Sequence, residues 1–378
     1  MQVLIGQENA LLKSASPVPD HWHRSCVGTE CSLHQLSPYV GKLKSAIAQN
    51  LIKTYSKVGD IVVDPFAGSG TAPFEAILQD RIAFAADISP YAEILCKAKL
   101  FPPRSLQEAL KKAEDLLTES EKLPNPDLRR VPQWVRKFFH PDTLKEALKF
   151  ASVCRRKGNE FFLASLLGIL HHQRPGFLSY PSSHLVPYLR DKKFPRDKFP
   201  ELYIHRELRP RLLAKIRRAY SRFSPLPYEK KAIFQRCRIK KFTPPAFDFL
   251  ITSPPYMNLL DYGRDNRLRL WFINPRYFDY SSIDSTNCMK SFKEDIIALA
   301  RMLEMSLKRK GYCVLIIGEQ SRSNNGNHPA NEVYNILREK APSLHTVSAM
   351  VDEIPGVRRS RRGYIGTKRE FFLLLQKR

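Results

Sequence analysis

The sequence is short of the features that would place it in or across a membrane. Its 378 residues contain no apolar run of the roughly 18 residues that a spanning helix needs. Residues 1–17 lack a basic stretch followed by a long apolar one, so we expect no secretory signal peptide. The seven cysteines are odd in number and scattered, which favours reduced thiols over a disulfide framework. These absences predict a cytoplasmic protein.

Acidic residues are also scarce relative to basic ones. The chain has 37 Asp and Glu against 62 Lys and Arg, a formal net charge of +25. A field of this sign favours a polyanionic partner, of which nucleic acid is the commonest. A generally basic protein without such a partner is the alternative. Charge therefore indicates a class of partner and does not identify any chemistry.

No common zinc-binding pattern is present. His21, His23, Cys26 and Cys31 lie close together, but their spacing fits no common finger and no second cysteine pair follows. We predict a loop with ordinary His and Cys side chains and no metal site.

Hydrophobic periodicity predicts one α/β unit interrupted by a long insertion. Strand, glycine turn, helix, strand and helix alternate over residues 58–100, and the same kind of alternation returns from residue 247 to the end. Such alternation is typical of a parallel sheet with helices on its faces. Between the two halves, residues 105–172 are mostly helical. Residues 173–245 are dense in Arg, Lys, Pro, Tyr and Phe.

A glycine-rich loop follows the first predicted strand. Residues 64–71 read Asp-Pro-Phe-Ala-Gly-Ser-Gly-Thr and open a helix. In a doubly wound sheet the ligand crevice lies at this position, where glycines let the backbone approach a ligand closely. No Gly-Lys-Ser/Thr follows, which excludes a phosphate loop. Asp87 ends the next strand and is placed to accept hydrogen bonds from ribose hydroxyls.

A second loop, Thr252-Ser253-Pro254-Pro255-Tyr256, follows another buried strand. Two consecutive prolines cannot extend a central strand, so the chain leaves the sheet rigidly there. Proline and serine oxygens can accept from an amino group, and Tyr256 offers a ring for stacking. Alone, the pattern is also compatible with a simple strand-ending turn.

The two loops together resemble those of the S-adenosylmethionine-dependent DNA amino-methyltransferase family, with the α-type order of motifs. The resemblance covers roughly residues 35–100 and 245–378. It implies that the cofactor-binding motif I is residues 64–71, and that the target-binding motif IV is Ser253, Pro254, Pro255 and Tyr256. Residues 37–42 resemble motif X, which closes over the methionine end of the cofactor. The implied cofactor-binding residues are Tyr39, Lys42, Asp64, Pro65, Phe66, Gly68, Ser69, Gly70, Thr71 and Asp87.

The resemblance implies a class I methyltransferase fold, a Rossmann-like mixed sheet with a C-terminal β-hairpin. The expected divisions are an N-terminal extension (1–34), a first part of the core (35–103), a helical and basic insertion (104–245) and a second part of the core (246–378). The insertion would be the target recognition region, because phosphate contacts need Arg and Lys. Duplex DNA is the implied partner, and a cognate restriction endonuclease is a candidate partner.

The implied reaction is direct transfer of a methyl group to an exocyclic amino group of a flipped DNA base. Ser253 at the first position of motif IV is typical of cytosine-N4 enzymes, whereas Asp or Asn is usual in adenine-N6 enzymes. Methylation of a cytosine ring carbon needs a cysteine nucleophile, and no Pro-Cys pair exists here. Adenine-N6 methylation, an RNA amino-methyltransferase and a non-catalytic DNA-binding relative stay open as alternatives. The segment before motif IV lacks the acidic residue that many relatives carry near the third strand.

Overall fold

A computed structural model of the chain describes residues 14–22, 28–172, 176–180, 191–223, 225–227, 231–255, 262–275, 289–320, 329–354 and 367–378. In these ranges no helix is both long enough and apolar enough to cross a membrane.

The described residues form one sheet and a set of helices. The strands are β1 (Ser16–Pro17), β2 (Ile61–Asp64), β3 (Ile82–Asp87), β4 (Ala232–Arg236), β5 (Phe247–Thr252), β6 (Leu307–Gln320), β7 (Leu344–Glu353) and β8 (Thr367–Lys377). The helices are α1 (Ser45–Tyr55), α2 (Thr71–Leu78), α3 (Pro90–Leu100), α4 (Leu106–Glu121), α5 (Gln133–Arg136), α6 (Pro141–Lys157), α7 (Glu160–Ile169), α8 (Leu208–Ala219), α9 (Tyr262–Asp265), α10 (Arg267–Ile273), α11 (Met289–Ser306) and α12 (Pro329–Lys340).

The strand order is β1-β7-β8-β6-β5-β2-β3-β4. Strand β8 runs antiparallel to both of its neighbours, and the other neighbouring pairs are parallel. From β2 the chain builds outwards through β3 and β4, and it then returns to the other side of β2 through β5. Ligands of such sheets bind at the carboxyl ends of the strands where the order reverses. The predicted class I methyltransferase fold with its C-terminal hairpin is confirmed.

The insertion shares its core with the helices that follow the first strands. Phe74 and Tyr91, on α2 and α3, belong to the same buried cluster as Phe150, Phe162 and Leu212 of the insertion. All five side chains are essentially inaccessible to solvent. The described helices of the insertion therefore pack onto the catalytic core rather than around a hydrophobic core of their own.

One part of the predicted insertion belongs to the sheet. Residues 232–236 form β4, which pairs with β3 from Ala83 to Asp87. The strand lies at the edge, with a single neighbour, and Ile233 is 44% exposed. A half-exposed edge strand needs no continuous apolar run, which is why periodicity did not separate it from the basic segment. The sheet therefore includes a strand that precedes residue 246, where the second part of the core was predicted to start.

Gly168 marks where the insertion touches the segment before α1. A Cβ atom on Gly168 would lie 2.2 Å from the backbone oxygen of Leu36 and 3.2 Å from Cε of Lys215. Because the closest atom is backbone, Gly168→Ala requires a backbone shift, and we expect a loss of about 3 kcal/mol in the free energy of unfolding. Urea denaturation measures the loss. Gly176→Ala is the control, since its Cβ would meet nothing within 4 Å. Equal stability of both variants would contradict this packing.

Candidate active site

The glycine loop lies between the ends of β2 and β3. Gly68 and Gly70 have φ angles of 50° and 74°, a region that favours glycine. The Gly68 N–H donates to Oδ2 of Asp87 at 2.8 Å, and the Ser89 N–H donates to Oδ1 at 2.8 Å. Burial raises the pKa of Asp87, while these backbone hydrogen bonds lower it. The carboxyl at the end of β3 thus fixes the shape of the loop at the end of β2.

Tyr39 packs directly on this loop. Its Cε1 would lie 3.1 Å from a Cβ on Gly68, so only a glycine fits there without movement. The Tyr39 ring stacks with Tyr91 at 5.8 Å between centroids. The Tyr91 hydroxyl is 2.7 Å from Ser37 Oγ and donates to the Pro38 oxygen at 2.6 Å. The segment that resembles motif X is therefore held against the glycine loop.

A buried hydrogen bond joins the glycine loop to the Pro-Pro loop. Strands β2 and β5 are neighbours, and Thr252 Oγ1 donates to Oδ1 of Asp64 at 2.6 Å. Burial raises the pKa of Asp64 from 3.8 to about 7, although the bonds from Thr252 and from the Phe66 N–H lower it. The ends of the two motifs are consequently joined directly.

Ser253 is oriented by the next strand of the sheet. Its hydroxyl donates to the backbone oxygen of Ile316 in β6 at 3.1 Å. Since the proton is directed to a carbonyl, the serine oxygen presents lone pairs, which is the polarity needed to accept from an amino group.

One pocket contains most of the predicted residues. The predicted residues that line it are Tyr39, Lys42, Asp64, Pro65, Phe66, Gly68, Ser69, Thr71, Asp87, Ser253 and Pro255. Gly70 lies behind the loop against Cys96, and Pro254 is buried. Tyr256 lies outside the described residues. Both loops therefore open into the same space, at the reversal point of the strand order.

Several residues of the pocket were not predicted. Cys237, Arg238 and Ile239, just after β4, line it together with Asp295 of α11. Asp295 is 7% exposed, and burial raises the pKa of its carboxyl. An acidic side chain thus reaches the pocket from α11, whereas the segment after the third strand supplies none.

The loop predicted to hold no metal falls only partly within the described residues, which include His21 and Cys31. No group of three His, Cys, Asp or Glu residues there could hold an ion. His23 and Cys26 lie outside the described residues.

A buried polar cluster lies beneath the glycine loop. Lys99 is 1% exposed, and its Nζ donates to the backbone oxygen of Ser69 at 2.5 Å. Burial, aided by Lys42, lowers the pKa of Lys99 to about 7. Nearby, His34 Nε2 is 2.7 Å from Glu75 Oε1, and both side chains are buried. The only hint in the sequence is the presence of charged residues on otherwise apolar helix faces.

The Glu75 carboxyl predicts a pH dependence of stability. Burial, with Glu30 as the second cause, raises its pKa from 4.5 to about 8. Between these values the folded state keeps a proton that the unfolded state loses, so the contribution of Glu75 to stability is present below pH 4.5 and lost towards pH 8. Glu75→Gln cannot ionise. We therefore expect its free energy of unfolding, relative to wild type, to rise between pH 5 and pH 8 in urea titrations.

Glu119→Gln provides a control of opposite sign. Glu119 is exposed, and its hydrogen bond from Lys157 lowers its pKa. The small contribution of ionised Glu119 to stability appears as pH rises. The free energy of unfolding of Glu119→Gln should therefore fall slightly relative to wild type. A pH-independent difference between Glu75→Gln and wild type would contradict the assignment of Glu75.

Comparison with known proteins agrees with this site. Residues 8–97 match the family model of N6/N4 methyltransferases, described as DNA methylase. Type II methyltransferase M.MjaII of Methanocaldococcus jannaschii is 34% identical over 68 residues, which are 18% of this chain and 13% of that protein. Type II methyltransferase M.MvaI of Kocuria varians is 24% identical over 311 residues, 72% of this chain and 62% of that protein. The chain thus spans less than two thirds of the length of either relative.

Solved structures of similar shape include TrmN from Thermus thermophilus. Its TM-score is 0.33 at 11% identity, and the match covers 89% of this chain and 50% of that chain. An rRNA methylase from Streptococcus thermophilus gives a TM-score of 0.32 at 8% identity, covering 89% of this chain and 97% of the other. These low TM-scores leave the fold assignment resting on the strand order described above. The match over residues 8–97, the stretches similar to the two type II methyltransferases and the two loops that share one pocket make the chain similar to N6/N4 DNA methyltransferases.

Proposed function

We propose that the protein is a DNA methyltransferase that uses S-adenosylmethionine to methylate the exocyclic amino group of cytosine, at N4. The observation that carries the proposal is the pocket shared by the glycine loop and the Pro-Pro loop, which the Thr252–Asp64 hydrogen bond joins. A cofactor bound at the first loop would lie next to a base held at the second.

The residues of the pocket fit S-adenosylmethionine. The positive φ angle at Gly68 opens a cradle that a Cβ atom would fill, and Tyr39 covers it. Asp87 still has acceptor capacity for a ribose hydroxyl, because a carboxylate accepts about four hydrogen bonds and three come from the backbone of Gly68, Ile88 and Ser89. Asp295 can accept from the adenine amino group. When bound, the cofactor supplies an electrophilic methyl group.

The second loop holds the target. An aromatic amino nitrogen is a poor nucleophile, because its lone pair is delocalised into the ring. Acceptance of its N–H groups by Ser253 Oγ and the Pro254 oxygen localises that lone pair and aims it at the cofactor side of the pocket. Tyr256 stacks on the base and helps to exclude water. Because an enzyme cannot reach its target atom inside a duplex, we propose that the target nucleotide leaves the duplex stack.

The basic insertion serves as the target recognition region, with duplex DNA as the partner. Its helices pack on the catalytic core, so a strand bound to the insertion lies near the pocket. A cognate restriction endonuclease is a candidate partner on the resemblance alone.

Adenine-N6 methylation is the second candidate, since Ser253 is the feature that favours cytosine. Mass spectrometry of nucleosides from methylated duplex DNA distinguishes the two. We expect N4-methyldeoxycytidine. N6-methyldeoxyadenosine would keep the family and overturn the reading of Ser253, and a methylated ribonucleoside obtained only from RNA would overturn DNA as the substrate.

A further inference from the structure

We infer that a second cleft, next to the cofactor pocket, binds the sugar–phosphate backbone of the DNA strand that carries the target base. This inference rests on the proposed function and names the surface that the substrate occupies. We call it the cationic cleft, because its lining includes Lys42, His172, Lys215, Arg218 and Arg222. Tyr39 and Lys42 line both the cleft and the cofactor pocket. A DNA strand that lies in the cleft is therefore separated from the site of methyl transfer by the width of one side chain.

Three of the basic side chains of the cleft donate hydrogen bonds to backbone oxygens. Lys42 Nζ donates to the His34 backbone oxygen at 2.8 Å, and Lys215 Nζ donates to the Gln35 backbone oxygen at 2.7 Å. Arg222 Nε donates to the Glu30 backbone oxygen at 3.3 Å. These acceptors are uncharged carbonyls. Of the described residues that line the cleft, none is Asp or Glu.

The surroundings of the cleft also disfavour the charged form of an isolated basic side chain. Burial, aided by Arg218, lowers the pKa of Lys215 to about 7. The repulsion between like charges held together in this way falls when an anion lies between them, because each phosphate offers several charged acceptors. The clustering of Lys215 and Arg218 thus matches a partner that carries regularly spaced negative charges.

An aromatic pair favours nucleic acid over a free anion. The rings of His172 and Phe177 stack with centroids 4.9 Å apart and an interplanar angle of 28°. Both residues line the cleft. Sites for nucleic acid strands combine a basic groove with aromatic side chains on which bases stack, whereas a small anion needs no ring.

Arg218 provides the test, because it is exposed and its replacement leaves the packing of α8 intact. Binding of Arg218→Ala to a fluorescent duplex DNA is measured by anisotropy at several salt concentrations. We expect weaker binding by several-fold at low salt. We also expect the slope of log K against log salt to be smaller by about 0.9, the value for one lost phosphate contact. Affinity for S-adenosylmethionine, measured by calorimetry, should not change.

Arg217→Ala is the matched control. Arg217 is exposed on the same turn of α8 but does not line the cleft, so its slope should equal that of wild type. Equal slopes for the two variants would overturn the assignment of the cleft while leaving DNA methylation untouched. Competition of inorganic phosphate at Arg218, without any change in the DNA slope, would assign the cleft to a small anion and overturn it as well. If wild type transfers no methyl group to DNA, the proposed function itself fails.

Discussion

Tyr256→Ala is expected to lower the rate of methyl transfer to DNA roughly 100-fold, with affinity for S-adenosylmethionine nearly unchanged. Stacking of a base on an aromatic side chain is worth about 1–3 kcal/mol, and the upper value corresponds to a factor of roughly 100 in rate. Tyr256 follows Pro254 and Pro255 in the sequence, and we propose that its ring stacks on the target base rather than on the cofactor. Single-turnover transfer of labelled methyl groups and calorimetric titration of the cofactor separate the two effects.

Tyr256→Phe tests whether the ring is the part that matters. It keeps the stacking surface and removes the hydroxyl, so transfer should stay close to the wild-type rate. Full activity of Tyr256→Ala would exclude the stacking role. Loss of cofactor binding in Tyr256→Ala would indicate that Tyr256 contacts the cofactor rather than the target base.

Gly70→Ala is expected to weaken cofactor binding by more than tenfold and to destabilise the fold by about 2 kcal/mol. The φ angle of Gly70 is 74°, where a Cβ atom is strained. That Cβ would lie 2.8 Å from Sγ and 3.1 Å from Cα of Cys96 in α3. The loop must therefore shift away from α3, and with it the Gly68 N–H that Asp87 holds. Calorimetry and urea denaturation measure the two losses.

A double-mutant cycle separates strain from collision. In Gly70→Ala/Cys96→Ala the sulfur is absent, so the pair should be more stable than the sum of the two single changes predicts. Gly28→Ala is the control for the glycine change, since a Cβ there would meet nothing within 4 Å. Wild-type cofactor affinity in Gly70→Ala would contradict the role of the loop.

The elements that position the pocket could be predicted because their sequences are locally unambiguous. The strand Ile82–Asp87 and the helix Pro90–Leu100 fall within the alternation of strands and helices predicted over residues 58–100. Both have clear signals: an apolar run that ends in an acid, and a proline at the first turn of a helix capped by Ser89. The two loops then follow from chain order and strand ends.

The remaining parts depend on contacts that local pattern does not encode. Strand β6 begins at Leu307, although the residues before Tyr312 are basic and give no strand pattern. Lys97 and Lys99 lie two positions apart in α3, yet only Lys99 is buried and bonded to the glycine loop. Asp295 reaches the pocket from a helix more than 200 positions beyond Asp87 in the sequence. Such pairings are set by tertiary packing.

The most direct test is to incubate the protein with methyl-labelled S-adenosylmethionine and equal amounts of duplex DNA and structured RNA, and then to count the label in each nucleic acid. We predict label in the DNA, bound to an exocyclic amino group, and background counts in the RNA. Label in the RNA alone, or in neither under conditions where calorimetry shows the cofactor bound, would contradict the assignment of this protein as a DNA amino-methyltransferase.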